Sequence, residues 1–425
     1  MIGKHDNSVL LGRGEGASRV LRLDAAQRSR HLYTIGSTGA GKTTFLKSLI
    51  LQDVHLGRGL CLIDPHGDLA EEVAAAIPRE RLNETVYFDA ADRGRPIGFN
   101  PLSGWEEPHE RELVASDLVA TFKGIWRDSW GEWLEYLLKN ILLALMERRG
   151  VSVSLLSVHR MLEDEEYRKH ILQGVKDPVV SAFWKQYFDG FSARDQRERI
   201  SSTLNKAGKF VLSPSLRNIV GQTKTGFSLS RIMDEQGILI VNLAKGRIGE
   251  DNANLLGSLI VSDIVSRTMA RAGQGKASRQ PFNLFIDEFQ NFTTDRFASI
   301  VAEARKYGLA LHISHQNFDQ IDTKVLSAIL KNTGTLTAFS VNFEDAESLA
   351  RHFRPIQASA LTSSQVGEFW CRTGIKTQPV RAFPPEDHAT LERNALSRVQ
   401  ENSRQRYGRD KAKIEGDLAK WWGRR

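Results

Sequence analysis

In the run Gly36-Ser37-Thr38-Gly39-Ala40-Gly41-Lys42-Thr43, two glycines bracket four residues and are followed by a lysine and a hydroxyl. A loop of this spacing can close its backbone N–H groups around phosphate oxygens, and a helix opening after it adds the partial positive charge of its N-terminus. Lys42 is expected to reach the outer phosphates and the Thr43 hydroxyl to ligate Mg²⁺. With Thr44 next in line, Gly36 to Thr44 is the expected nucleotide-contact set. The flanks suit the chemistry. His31-Leu32-Tyr33-Thr34-Ile35 is short and β-prone, and Leu46, Leu49 and Ile50 fall at helical spacing after the loop.

A second set of groups ends the apolar run Phe282-Asn283-Leu284-Phe285-Ile286: the carboxylates of Asp287 and Glu288. A strand here would deliver both to the carboxyl edge of a sheet, where open α/β sheets bind ligands. Asp287 is expected in the Mg²⁺ shell beside Thr43, and Glu288 as the base that polarises an attacking water. An acid directly after the metal-binding Asp favours hydrolysis over transfer to another substrate. A later run, Leu309 to Ser314, ends in His315-Gln316-Asn317. Gln316 is expected between the phosphate loop and Glu288, sensing the γ-phosphate; His315 reads as structural. Between the runs, Phe297, Ile300, Val301 and Ala304 form one helical stripe with Arg305 at its edge. Arg305 is either surface charge or a finger that stabilises transition-state charge in a neighbouring subunit.

Holding these groups together takes a sheet with several strands ending at one edge. Further strand-like runs are Ser8–Leu11, Arg19–Leu23, Leu60–Ile63, Thr85–Phe88, Gly237–Leu243 and Thr335–Val341, the first two flanking a bend from Gly12 to Gly16. Most are continuously apolar and alternate with helical stretches, so they predict a mainly parallel sheet covered on both faces. From about Trp105 to Thr225 the texture is helical instead, with Leu134, Leu137, Leu138, Ile141, Leu142 and Leu145 on one stripe. The expected organisation is an α/β, RecA-like nucleotide-binding domain over residues 1–104 and 226–390. An all-α insertion covers 105–225, and a basic tail covers 391–425.

Composition sets the class. Hydrophobic content of 41% with 26% charged residues describes a soluble globular chain, and no apolar run reaches membrane-spanning length. Cys61 and Cys371 form neither a disulfide framework nor a metal-ligand spacing, which fits a reducing cytoplasm. The net charge of +7 permits a polyanion partner without establishing one. Residues 391–425 carry ten basic against five acidic groups and the pair Trp421-Trp422, either a solvated helix or a docking tail. Lys245 and Arg247, expected in a glycine-containing loop after the strand ending at Leu243, are either solvated charge or phosphate contacts to DNA.

Taken together, these motifs resemble the HerA/FtsK superfamily, most closely the conjugative coupling ATPases of type IV secretion (the TraG/TraD/TrwB type). The resemblance rests on His31 to Thr44, Ile63-Asp64-Pro65-His66-Gly67-Asp68-Leu69, Phe99-Asn100-Pro101-Leu102, Phe285-Ile286-Asp287-Glu288-Phe289, Arg305-Lys306-Tyr307-Gly308-Leu309 and Gln316. It implies an Mg²⁺-dependent ATPase that moves DNA through a hexameric ring, with ATP at subunit interfaces and an all-α domain facing the DNA-processing machinery. A relaxase or type IV secretion channel components are further implied partners. Members of this type usually carry an N-terminal membrane anchor, which is not found here. The expectation is therefore a cytoplasmic protein, with any anchor to the inner membrane supplied by another chain. The alternatives are a nucleotide-gated docking platform and a protein-secretion ATPase that threads no DNA.

Overall fold

The computed structural model describes residues 8–14, 19–294, 297–384 and 394–423. Glu15 and Gly16 of the expected bend lie outside the described residues, as do residues 391–393 and 424–425 of the expected tail. Two compact units emerge. One contains residues 1–88, 229–245 and 267–403; the other contains 89–228, 246–266 and 404–425.

The first unit is built on a sheet of eleven strands among the described residues. In chain order they are β1 (Val9–Gly14), β2 (Val20–Leu23), β3 (Leu32–Ile35), β4 (Gly59–Asp64), β5 (Thr85–Asp89), β6 (Ile238–Asn242), β7 (Phe282–Ile286), β8 (Leu309–His315), β9 (Thr335–Ala338), β10 (Glu368–Thr373) and β11 (Lys376–Arg381). Their spatial order is β2-β1-β11-β10-β9-β3-β8-β7-β4-β6-β5. Neighbours from β9 through β6 pair in parallel, whereas β10, β11, β1 and β2 form an antiparallel flank. Every residue of β3, β4, β6, β7 and β8 is buried. Strands covered on both faces are largely apolar, which is why these read as near-continuous runs. The helix Lys42–His55 buries Phe45, Leu46, Leu49 and Ile50 in a core shared with Leu60, Leu62, Ile240 and Phe285.

Register places the strand ends in rows. Ile35 of β3 pairs with His315 of β8, and Ile286 of β7 pairs with both Ile313 of β8 and Ile63 of β4. One step further along, Asp64, Asp287 and Ser314 come level at the same edge. The next row is Ile35 with His315, and just past it the Gly36 N–H donates to the His315 carbonyl at 3.4 Å as β8 leads into Gln316.

The second unit is helical. Glu132–Glu147 buries Leu134, Leu137, Leu138, Ile141, Leu142 and Leu145, the stripe the spacing predicts. Sequence spacing also predicts one helix over Pro178–Tyr187. The α-helix instead stops at Ala182 and widens into a π-turn over Phe183–Phe188, with Phe183, Trp184 and Phe188 all buried. A wider turn lets three large rings face inward together.

The stretch expected as a tail forms two packed helices. Ala395–Tyr407 buries Val399, and its Ser403 hydroxyl accepts the Tyr87 N–H at 2.8 Å. Lys411–Gly423 buries Ile414, and Trp421 lies under the Arg160 guanidinium at 5.1 Å. Among the described residues no helix is long and apolar enough to cross a membrane.

Candidate active site

The loop after β3 has the shape its glycines require. Gly41 caps the Lys42–His55 helix at φ 109°, a left-handed conformation that strains any residue with a Cβ. A Cβ on Gly36 would meet the Cβ of Phe339 at 2.6 Å. The backbone can therefore lie close against the sheet while Ser37, Thr38 and Gly39 face solvent and Ala40 is buried. The Ser37 N–H is tied to the Ser340 carbonyl at 2.7 Å, and the Gly367 N–H donates to the Ala40 carbonyl at 3.0 Å. Gly367 also accepts the Ala382 N–H at 2.8 Å. The loop is thus fastened by the backbone that leads into and out of the β10–β11 hairpin.

Lys42 folds back into the loop, its Nζ donating to the Gly36 carbonyl at 2.6 Å and the Ser37 carbonyl at 3.1 Å. An ammonium has three donors, so one is left for an anion. Burial lowers the Lys42 pKa from its ordinary value, with Glu288 and Asp287 opposing the shift.

Beside it the carboxylates gather as the register requires. The Thr43 hydroxyl donates to Asp287 Oδ2 at 3.3 Å. Asp287 Oδ1 is engaged by the Ser314 hydroxyl and by the Glu288 N–H at 3.1 Å. Oδ2 is therefore the oxygen turned to the loop. Burial raises the Asp287 carboxyl above the usual range, and Glu288 and Asp64 add to the rise, against the Ser314 hydrogen bond and the Lys42 charge. Asp64 itself closes the turn after β4, accepting the His66 N–H and the Ala70 N–H, each at 2.9 Å.

Glu288 stands at φ 47°, ψ 50°, a left-handed conformation uncommon for a non-glycine residue. Its two carboxylate oxygens are held separately. Gln316 Nε2 donates to Oε1 at 2.8 Å, and Gln290 Nε2 donates to Oε2 at 2.7 Å. The Gln316 carbonyl oxygen accepts the Thr38 hydroxyl at 2.9 Å. One unbroken chain thus runs from the phosphate loop through Gln316 to Glu288. His315 joins the same edge structurally: its ring meets the Tyr33 hydroxyl at 3.1 Å, and burial pushes its pKa down to about 3, with Lys42 adding to the shift.

The residues singled out by sequence fall into two groups. Lys42, Thr43, Asp287, Glu288 and Gln316 converge on the loop from Gly36 to Thr44. Arg305, in a 3₁₀ turn over Ala304–Tyr307, is exposed and stands outside that network. Lys245 and Arg247 lie in a short helix, Lys245–Ile248, rather than in a loop. The Lys245 N–H donates to the Pro65 carbonyl at 2.9 Å, and Arg247 Nη1 is 3.9 Å from Asp89. Sequence spacing passed over Ser314 and Gln290. Both are ordinary polar residues, Ser314 lying 27 positions from Asp287 and Gln290 two from Glu288, so only the strand register and the turn after β7 reveal them.

A divalent cation fits the donor set. Thr43 Oγ1 and Asp287 Oδ2 are hard oxygen donors, and the carboxylates of Glu288 and Asp287 both act on the Lys42 ammonium. No group of three or more His, Cys, Asp or Glu side chains forms a metal cage among the described residues. The Thr43 and Asp287 oxygens suit Mg²⁺, which takes one or two protein oxygens and completes its shell with phosphate and water.

A family model described as the type IV secretion-system coupling protein DNA-binding domain matches residues 20–348. Among solved structures, the fold is similar to the bacterial conjugative coupling protein TrwB in an unbound form, with TM-score 0.66, 14% identity and 89% of each chain covered. A structure of TrwB in complex with ADP and Mg²⁺ matches at TM-score 0.63 and 15% identity, covering 86% of this chain and 89% of that one. VirB4 of Thermoanaerobacter pseudethanolicus matches at TM-score 0.56 and 16% identity, over 89% of this chain and 97% of that one. No curated protein matches by sequence.

Proposed function

The chain belongs to the type IV secretion-system coupling-protein family, and from that premise we propose that it is an Mg²⁺-dependent ATPase that drives DNA through a ring of its own copies. The observation that carries the reading is the hydrogen-bonded chain from Thr38 through Gln316 to Glu288. It joins the place where a γ-phosphate would rest to the group that would act on water. TrwB in complex with ADP and Mg²⁺, and with a non-hydrolysable ATP analogue, supports the reading of a nucleotide at this loop.

In this reading the N–H groups from Gly36 to Thr44 and the free donor of Lys42 hold the phosphates. Thr43 and Asp287 would hold Mg²⁺, which supplies charge neutralisation on the phosphate oxygens. When a phosphate oxygen takes the Thr38 hydroxyl, Gln316 loses its anchor on the loop and releases Glu288 Oε1. Glu288 then orients the attacking water and accepts its proton. Arg305, exposed, reaches the site of a neighbouring copy in a ring that we take to be hexameric. Lys245 and Arg247 face the DNA phosphates, and the helical unit meets the DNA-processing partner, a relaxase or a channel component.

ATP turnover with and without DNA tests this. Glu288→Gln should bind nucleotide as tightly as the parent yet turn over about 10²–10⁴-fold more slowly. Lys42→Ala should lose nucleotide affinity as well. Neutralising Lys245 and Arg247 together should reduce DNA-stimulated turnover more than basal turnover, and raising salt should weaken DNA binding steeply. Wild-type turnover in Glu288→Gln would refute the assigned base. Turnover with no response to DNA would favour a nucleotide-gated platform or a protein-secretion ATPase.

A further inference from the structure

Gln290 follows Glu288 by two residues, in the 3₁₀ turn Phe289–Phe292. Phe289 and Phe292 on either side of it are buried, and Phe289 packs edge-on to Tyr33 and His315 while stacking on Phe297. The turn is therefore locked by aromatic packing, and the Gln290 side chain leaves it from a fixed base. Its amide nitrogen donates to Glu288 Oε2 at 2.7 Å. A carboxylate only accepts, so the amide must present its N–H to Glu288 and turn its carbonyl oxygen the other way. There the carbonyl oxygen is buried with no hydrogen-bond partner. A buried acceptor left unsatisfied in a native structure calls for an explanation. Here the explanation is on the opposite end of the same amide.

Two amides hold the Glu288 carboxylate, and they differ in what holds them. Gln316 is bonded onward to Thr38 in the phosphate loop. Gln290 has no such tie: its oxygen is an orphan and its backbone sits in the packed turn. A ligand at the loop can therefore pull on one amide and not on the other. We propose that Gln290 is a positioning residue that clamps Glu288 Oε2, so that Oε1 is the oxygen delivered to water when Gln316 lets go. Without the clamp the carboxylate is free to rotate about its last bond once Gln316 leaves, and its left-handed backbone gives it no other support. This rests on the reading of the site as a hydrolytic one.

The test uses the full chain and Gln290→Met, which keeps length and bulk but has no donor. Its kcat for ATP should fall about 10–100-fold, the scale expected when a reacting group is displaced by about an ångström. KM, and binding of a fluorescent ATP analogue, should stay within about two-fold of the parent. In a Glu288→Gln background, Gln290→Met should change the residual rate less than two-fold, because nothing is left to position. Gln290→Ala should show the same split; its melting temperature alongside reports whether the fold is kept.

The proposal fails if either variant turns over at the parent rate, if the loss appears in KM, or if it multiplies in full with Glu288→Gln. A parent that does not hydrolyse ATP, or a Glu288→Gln variant at parent rate, overturns the hydrolytic reading and this inference with it. An inactive Glu288→Gln beside a normal Gln290→Met overturns the inference alone.

Discussion

Asp287 combines almost complete burial with two neighbouring carboxylates, and its carboxyl holds a proton more firmly than an ordinary aspartate as a result. A raised carboxyl pKa means that the folded chain gains stability as pH falls through the window between the ordinary value and the raised one, and loses it as pH rises. Asp287→Asn removes the charge while leaving an oxygen to accept from Ser314 and the Glu288 N–H. It should abolish Mg²⁺-dependent turnover yet raise the melting temperature at neutral pH without nucleotide. That advantage over the parent should shrink as the buffer is acidified through the same window. A lower melting temperature for Asp287→Asn at pH 7 would show that the three acids do not strain this edge. Stability surrendered for function is common at active sites. At this scale the sequence was informative wherever a residue type carries its own chemistry. The lysine, the hydroxyl and the acid pair could be read directly, whereas Ser314 and Gln290 owe their significance to neighbours that lie 27 and two residues away.

Among elements, β8 carries the most constraints. It supplies Ser314 and His315 and leads into Gln316, and it is tied at its start to His31, just before β3. The His31 ring accepts the Leu311 N–H at Nδ1 (3.0 Å) and donates from Nε2 to the Val301 carbonyl (3.0 Å). Only the neutral ring can do both, and burial, with a smaller contribution from Arg305, pushes its pKa down to about 4. The sign follows from proton uptake. Below about pH 6.5 the unfolded chain protonates this histidine and the folded chain does not, so stability falls between about 6.5 and 4 and no further on this account. Full expression of that shift is worth on the order of 3 kcal/mol. His31→Gln should be less stable at pH 8 but should lose less between pH 6.5 and 4.5 in a denaturant titration. An unchanged slope would mean that the histidine is solvated.

Most of the parallel strands were legible because their apolar runs are nearly continuous. The β10–β11 hairpin was not. Burial alternates along β10 and is mostly partial along β11, so neither offers a continuous run, and Pro379 within β11 argues against a strand when read from sequence alone.

For the whole molecule, Arg305 decides whether the active unit is one chain or several. It is exposed and stands apart from the network at the loop, so the catalytic role proposed for it requires a second copy. Arg305→Ala should retain ATP binding and lose about 10³–10⁵ in rate, the value of such a group in well-studied phosphoryl-transfer enzymes. Mixing it with Lys42→Ala, each inactive alone, should restore part of the activity. Some interfaces in mixed assemblies would then join an intact loop to an intact arginine. No recovery in mixtures shown to co-assemble would place Arg305 in its own chain's site or in the fold. Sequence texture changes near Trp105, whereas the helical unit begins at Asp89 and also takes in residues 246–266, which read as part of the sheet domain. The contribution of residues 404–423 to the helical unit was hidden, because a charged amphipathic helix looks the same whether it docks or not.

The Gly367 backbone receives the Ala382 N–H on one side and gives its own N–H to Ala40 on the other. Both bonds are made by main-chain atoms alone. Replacing an exposed side chain of β10 or β11 leaves them in place, whereas Phe369 is buried against Phe45 and Phe339 in the core beneath the loop. The hold on the phosphate loop is therefore indifferent to the identity of the hairpin's exposed residues. That leaves their outward-facing side chains open to drift, and to recruitment by whatever passes over that flank, without loosening the cradle beneath.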